Sequence, residues 1–443
     1  MFENILGQAV TAQLSRDLTS SVLAPSMLFS GPPASGKGAA ALELARILSC
    51  EDMKDLPVHA PWNCSCASCS RHRLLIHPDL LILGPRPFSP EIAAAAAAFL
   101  REPESTPTVL LFLRSVRKLL ARFSPVLWED DSKLGKLSPL ITGLDELLDE
   151  IDKAQENSAD LQKICDDILK NAFKLEAEGI ANAIPIAQIR RAAYWSHLAP
   201  AGKRKLLLIE NADCMLDAAR NSLLKILEEP PDTVSIVLTS ARPEALLPTI
   251  RSRLRPYRFT KRDKESEAAV LRRVFRAAAP GDVSITAYLE SFLPVTGDAL
   301  AGLAAFFAAS LAASAVVARR KKGLPAIPPE LIQLGKYTAP LAGAAGFEKQ
   351  TRISEIISTV VKGADGFSIR SLFTQFLRRL LTLVSESLRS AESPLSVSPL
   401  YHDLWRRQTE EAQRAVETLN QNPALALERM AIEICRGLSE AAV

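Results

Sequence analysis

The chain has 443 residues, 48% of them hydrophobic and 23% charged, and a net charge of +3. That length suits roughly two to four domains with a proper core, and the composition is that of an ordinary soluble protein, not a disordered or fibrous one. Near-neutrality excludes a surface that binds nucleic acid through overall charge, so any such contact must come from a local patch. Scarce aromatics and abundant Ala and Leu favour helix over sheet. The start, Met1-Phe-Glu-Asn4, has no basic segment leading into an apolar core, so no signal peptide is expected and the chain is read as cytoplasmic.

The first stretch, to about Ser49, reads helix, strand, loop, helix. Ser26–Ser30 is a short apolar strand running into Gly31-Pro32-Pro33-Ala34-Ser35-Gly36-Lys37-Gly38, and Ala39–Leu48 has helical period and composition. The pattern G-x-x-x-x-G-K-[ST] cradles nucleotide phosphates with backbone N–H groups and lysine, and its final hydroxyl holds Mg²⁺. Here Gly38 stands where that hydroxyl is required. The loop keeps the parts that grip ATP or ADP and lacks one that supports hydrolysis.

Cys50, Cys64, Cys66 and Cys69 follow, four of the seven cysteines within twenty residues. A C-x₂-C pair with two further thiolates suits a structural zinc site, over about 50–72. The C-x-C spacing leaves open whether both Cys64 and Cys66 bind. The alternative is free thiols on a surface loop, with His59, His72 or His77 as bystanders. Leu80–Leu83 is the next buried strand.

From about 87 to 183 the sequence reads as a helical insertion: Ile92–Leu100, Val109–Phe123, Leu137–Glu156 and Leu161–Glu178, punctuated by Pro103, Pro107, Pro125 and Gly135. Strands return at Lys205–Ile209 and Val234–Thr239, implying a parallel sheet covered on both faces. The third strand ends in Glu210-Asn211-Ala212-Asp213. Acid there is in the right place for a metal ligand, but Asn211 cannot act as a carboxylate base. Ser240 follows at the end of the fourth strand's run and is grouped with the nucleotide-site residues.

Beyond Phe259 the chain is helical, with breaks at Ala279-Pro-Gly281 and Leu324–Pro329. Ala299–Ala318 carries no charge and precedes Arg319-Arg320-Lys321-Lys322, yet its Ala-rich composition marks a buried helix. Arg71-His-Arg73, Arg319–Lys322 and the acidic Asp145–Glu156 are expected to be solvated faces.

The run from Lys205 to Arg253 resembles the bacterial DNA polymerase III clamp-loader subunits of the AAA+ superfamily, the gamma/tau and delta-prime group. The pieces that carry this are Leu206-Leu-Leu-Ile-Glu-Asn-Ala-Asp213, Asn221–Ser240 and Arg242–Leu254. The cysteine cluster, His77-Pro-Asp79, Asn4-Ile-Leu-Gly-Gln8 and Asn422–Glu428 add to them. The resemblance covers about 2–83 and 184–259. It implies an α/β AAA+ P-loop domain with parallel sheet and zinc module (1–260), an all-helical lid (261–329) and a helical collar (330–443); the helical insertion at about 87–183 within the first has no counterpart in the family.

It also implies that Gln8 helps hold adenine and that Ser252-Arg253-Leu254 offers Arg253 as an arginine finger to a neighbour's ATP. Leu300 stands where a sensor arginine is expected. With Gly38 and Asn211, it marks a delta-prime pattern. The expected partners are the other clamp-loader subunits, the sliding clamp and primed DNA, with little or no turnover by this chain itself. The rivals are an active gamma/tau-like ATPase, in which Glu210 serves as the metal ligand, and a zinc-stabilised adaptor outside the clamp loader.

Overall fold

The apolar runs expected as strands do form them, and a fifth strand joins that the residues did not advertise. In the structure, a computed structural model, residues 1–52, 60–129, 131–154, 158–181, 183–278, 281–293, 297–324, 327–344, 369–389, 399–417 and 421–440 are described. His59, residues 155–156 of the acidic stretch, 279–280 of the first helical break and 325–326 of the second lie outside them. The strands are β1 (Ser26–Ser30), β2 (Leu80–Leu83), β3 (Lys205–Ile209), β4 (Val234–Ser240) and β5 (Arg255–Arg258). All pair in parallel, in the order β2-β3-β4-β1-β5. The last, Arg-Pro-Tyr-Arg, is an edge strand, where a proline is tolerated and polar side chains can face water.

Alternate side chains of β1 to β4 enter two different cores, as a period of two requires. Met27, Phe29, Ile82, Leu206, Leu208 and Val237 pack with Leu14, Ala40, Leu44 and Ile47. The latter belong to α1 (Val10–Thr19) and α2 (Lys37–Leu48). Leu28, Leu81, Leu83, Leu207, Ile209, Ile236 and Leu238 face the other way. On that side lie α4 (Ser89–Arg101), α5 (Thr106–Leu120), α6 (Pro125–Trp128), α7 (Ser132–Ala154), α8 (Ser158–Gly179), α9 (Ile186–His197) and α10 (Asp217–Glu228), after the short α3 (Ala67–Arg73).

The described residues of 87–183 are mostly helical, and Phe99, Phe112, Val116, Leu148 and Ile168 share one core with the sheet. Gly135, read as a break, lies inside α7 together with Pro139. The two are four residues apart, so the glycine sits where the proline removes a hydrogen bond and crowds a carbonyl. From α5, Arg114 donates to the His72 and Arg73 carbonyls at 3.1 and 2.6 Å, and Arg117 to that of Leu74 at 3.1 Å. These are the carbonyls a helix end leaves unpaired.

The chain divides into two units, Met1–Phe292 and Leu293–Val443. The boundary falls inside the stretch expected as a lid. The first unit ends with α11 (Pro248–Arg251), α12 (Lys264–Phe275) and α13 (Ile285–Glu290). In the second, the helix Gly297–Lys321 packs against Pro329–Ala344, Ile369–Arg389 and Pro423–Glu440. Among the described residues one helix, Ala299–Lys321, is long and apolar enough to cross a membrane, and 67% of its most apolar window is buried within the fold. Leu300 is buried there. Two basic runs are not simple solvated faces: Arg73 donates to the Trp62 and Cys64 carbonyls, and Arg319 is buried with a bond to the Ser439 carbonyl.

Candidate functional site

The glycine loop leaves the carboxyl end of β1, which lies between β4 and β5, and ligands gather at the carboxyl ends of the strands in an open parallel sheet. Gly36, at φ +94°, turns the chain into α2, a conformation that a side chain would strain. Lys37 is 8% exposed, and its Nζ folds back onto the loop, donating to the carbonyls of Gly31 and Pro32 at 2.6 Å each and to Ser35 Oγ at 3.4 Å. Burial pushes its pKa down to about 8, opposed by Glu210 and Asp213. Arg262 ties the loop to the N-terminal segment, donating to the Leu6 carbonyl at 2.9 Å and to that of Ala34.

The deficit at position 38 has a tertiary cause. A Cβ built there would overlap Glu210 Oε1 and lie 3.5 Å from its Cδ. Glu210 bonds to Arg122 and lies 3.8 Å from Arg86 Nε; the arginines are 4% and 21% exposed. Arg86 also pairs with Glu91, which pairs with Lys118. Desolvation alone would raise the Glu210 pKa, but Arg86, Arg122 and Lys118 together hold it below its usual range. Burial pulls Arg122 down to about 10, so it remains charged near neutrality. The carboxylate expected as a metal ligand is thus an ion-pair partner, filling space the missing hydroxyl would need.

The other expected site residues are committed to the fold. Asn211 adopts φ +50° and donates from Nδ2 to the Pro85 carbonyl at 2.7 Å. Asp213 accepts from Ser240 Oγ at 2.8 Å and from Arg242 Nε and Nη2 at 3.1 and 3.0 Å. Gln8 pairs its amide with the Thr260 backbone at 2.8 and 3.0 Å, pinning the N-terminal segment beside the strand end. Arg253 does not join this group. It follows α11 at the surface, 34% exposed on its side chain, donating to Glu228 Oε1 and the Thr249 carbonyl at 2.7 Å each.

The four clustered cysteines do converge. Their sulfurs all lie within 4.8 Å of one another, Cys64 and Cys66 included. Cys50 and Cys64 are 3.7 Å apart, close to the roughly 3.8 Å that Zn–S bonds of about 2.3 Å impose at a tetrahedron. The Cys69 N–H donates to Cys66 Sγ at 3.3 Å, and Arg46 Nη1 to Cys69 Sγ at 3.1 Å. Four free thiols so placed could hold a zinc ion. His72 and His77 are stacked on each other at 4.1 Å between centroids. Asp79, of the His-Pro-Asp motif, accepts the N–H groups of Ala201 and Gly202 at 2.8 and 2.6 Å, fixing the turn before β3.

A family model described as "DNA polymerase III, delta subunit" matches residues 138–263. DNA polymerase III subunit delta' of Pseudomonas aeruginosa is 42% identical over 82 residues, 18% of this chain and 25% of that protein. DNA polymerase III subunit gamma/tau of Mycobacterium bovis is 31% identical over 105 residues, 24% of this chain and 18% of that protein. The chain is a relative of the DNA polymerase III delta-prime and gamma/tau subunits. Escherichia coli delta' adds 46% identity over 54 residues, 12% of this chain and 16% of that one. The chain thus spans about a quarter of the length of the Pseudomonas relative it matches. A solved gamma subunit-related protein of Thermotoga maritima is 23% identical with a TM-score of 0.29, covering 57% of this chain and 80% of that one. The DNA polymerase III family match includes Asn211, Ser240 and Arg253; the glycine loop and the cysteine cluster lie outside it.

Arg86, Arg122, Glu91, Lys118 and Arg262 are absent from the sequence reading. Arg86 offers one cue, since it follows the carboxyl end of β2, where ligand-side groups of parallel sheets collect. Arg122 lies 88 residues from Glu210 along the chain, and nothing local links them.

Proposed function

We propose that this chain is a delta-prime-like subunit of the DNA polymerase III clamp loader, assisting ATP-dependent loading of the sliding clamp onto primed DNA in the cytoplasm. The observation that carries this reading is the closed metal position. Glu210 fills the space beside Gly38, Asn211 is bound to Pro85, and Arg253 stays at the surface. A chain so built keeps a loop for ATP or ADP, turns over little or nothing itself, and presents an arginine to a neighbour. In trans, a guanidinium stabilises charge developing on the transferred phosphoryl group.

In this reading residues 1–260 form an AAA+ domain, 261–329 a lid and 330–443 a collar that holds other gamma/tau- and delta-type subunits. Cys50, Cys64, Cys66 and Cys69 hold a structural zinc ion that ties the segment after α2 to α3. The gamma/tau-like alternative has the Mycobacterium relative in its favour. ATP hydrolysis by the isolated chain and by the reconstituted complex separates them. Arg253→Ala is expected to lower turnover of the complex by at least about a hundredfold, with the isolated chain inactive throughout. Multiple turnover by the isolated chain, abolished by Lys37→Ala, refutes the delta-prime assignment. Elemental analysis is expected to find one zinc per chain, and its absence removes the metal.

A further inference from the structure

Within the glycine loop, Ala34 and Gly36 both lie in the left-handed region, at φ +56° and +94°. Turns of this kind bring successive backbone N–H groups to one side, which is what an anion seat requires. Glycine takes the conformation freely. At Ala34 the Cβ crowds the backbone, and the strain persists only where the surroundings hold it. The peptide between Ala34 and Ser35 is the vulnerable one, because turning it over presents a carbonyl where an N–H is needed.

One side chain grips that peptide. Arg262 donates from Nη1 to the Ala34 carbonyl and from Nε to the Leu6 carbonyl at 2.9 Å. Its Nη2 packs on the next turn of the loop, 2.9 Å from where a Cβ on Gly36 would stand. Across a trans peptide a carbonyl and the following N–H point in opposite directions. Drawing the Ala34 oxygen toward Arg262 therefore aims the Ser35 N–H away from the guanidinium, over the loop. The backbone that carries Arg262 is itself fixed on both sides. Thr260 pairs with the Gln8 amide at 2.8 and 3.0 Å, and Asp263 caps α12 by accepting from the Ser266 N–H at 2.7 Å. Arginine suits the task because its planar fork reaches two carbonyls at once, where an ammonium is a single point of charge.

We infer that Arg262 is a positioning residue for the nucleotide seat: it holds the Ala34–Ser35 peptide with its N–H turned toward the phosphates, so that binding depends on the contact between the loop and the segment leading into α12. This rests on the reading of residues 31–38 as a nucleotide seat. Arg262 acts through the backbone and does not touch the ligand.

Titrating the full chain with a fluorescent ADP analogue tests it, with folding of each variant checked by circular dichroism. Arg262→Ala should weaken binding about tenfold, and Arg262→Lys about fivefold or more, since one ammonium cannot hold both carbonyls. On an Ala34→Gly background the left-handed turn carries no side-chain strain, so the loss caused by Arg262→Ala should shrink to less than about threefold. Equal losses in the two backgrounds would overturn the inference, as would full binding in Arg262→Lys, because charge alone would then suffice. Unchanged binding in Arg262→Ala removes the inference and leaves the nucleotide seat intact, whereas no binding by the unsubstituted chain removes both. Arg262→Lys, which keeps the charge and a long stem, carries the comparison in both backgrounds should Arg262→Ala not fold.

Discussion

Restoring the hydroxyl at position 38 separates a tertiary reading of the loop from a motif-based one. On local grounds Gly38→Ser should help, because a helix interior favours serine over glycine by about 0.5 kcal/mol. In the structure the new Cβ would overlap Glu210 Oε1, so that oxygen must shift. The other oxygen, Oε2, carries the bond to Arg122, a guanidinium 4% exposed, and the shift loosens it. Losing one partner of a buried pair costs about 3–5 kcal/mol, and loosening one at 13% exposure costs a fraction of this. The net expectation is a loss of about 1–2 kcal/mol. Urea unfolding followed by tryptophan fluorescence reports it, since Trp62, Trp128 and Trp195 lie in the first unit and Trp405 in the second. The midpoint should fall by about 0.5 M. On a Glu210→Ala background the same substitution should cost less than about 1 kcal/mol, because the obstacle is gone. An unchanged or raised midpoint for Gly38→Ser alone would refute the reasoning.

Lys37 makes phosphate binding pH-dependent. Its folded pKa of about 8 lies below the ordinary lysine value of 10.5, so the fold disfavours the charged form, and stability should rise with pH between those values as the proton is lost. Phosphate binding needs that proton, so ADP affinity should weaken as pH rises through about 8, by up to tenfold per unit above it; a flat profile in the same titration would refute this. Arg46 is 1% exposed and donates to Glu43, Cys69 Sγ and the Ala60 carbonyl. Both Arg46→Ala and Arg46→Lys should lower stability by about 3 kcal/mol or more in chemical denaturation, since an ammonium cannot reach all three. Asp79→Ala strands the N–H groups of Ala201 and Gly202 and should cost about 2–3 kcal/mol by the same measurement. Cys64→Ser and Cys66→Ser should each lose zinc in elemental analysis, because all four sulfurs converge; retention in either would remove that residue from the ligand set.

The four strands found in the sequence were legible because parallel, doubly covered strands are continuous apolar runs with turns at both ends. The fifth, Arg255–Arg258, was not: an edge strand containing Pro256 carries no such signal. The glycine loop announced itself through spacing, as did the convergence of the cysteines, but the involvement of both Cys64 and Cys66 needed the fold. Gly135 misled as a break, since a glycine and a proline four residues apart can share a helix turn.

What residues alone determined was local: periods, caps, loop glycines, ligand spacing, and the absence of a hydroxyl at 38 and a carboxylate at 211. These follow from backbone sterics and side-chain chemistry within a few positions, so they survive without coordinates. Why position 38 is glycine was decided only in three dimensions. Glu210, Arg86 and Arg122 come from three separate stretches, and the strand order β2-β3-β4-β1-β5 sets the end of β3 beside the first turn of α2. Electrostatics in a poorly solvated site depends on which charges meet, and a linear sequence does not say which they are.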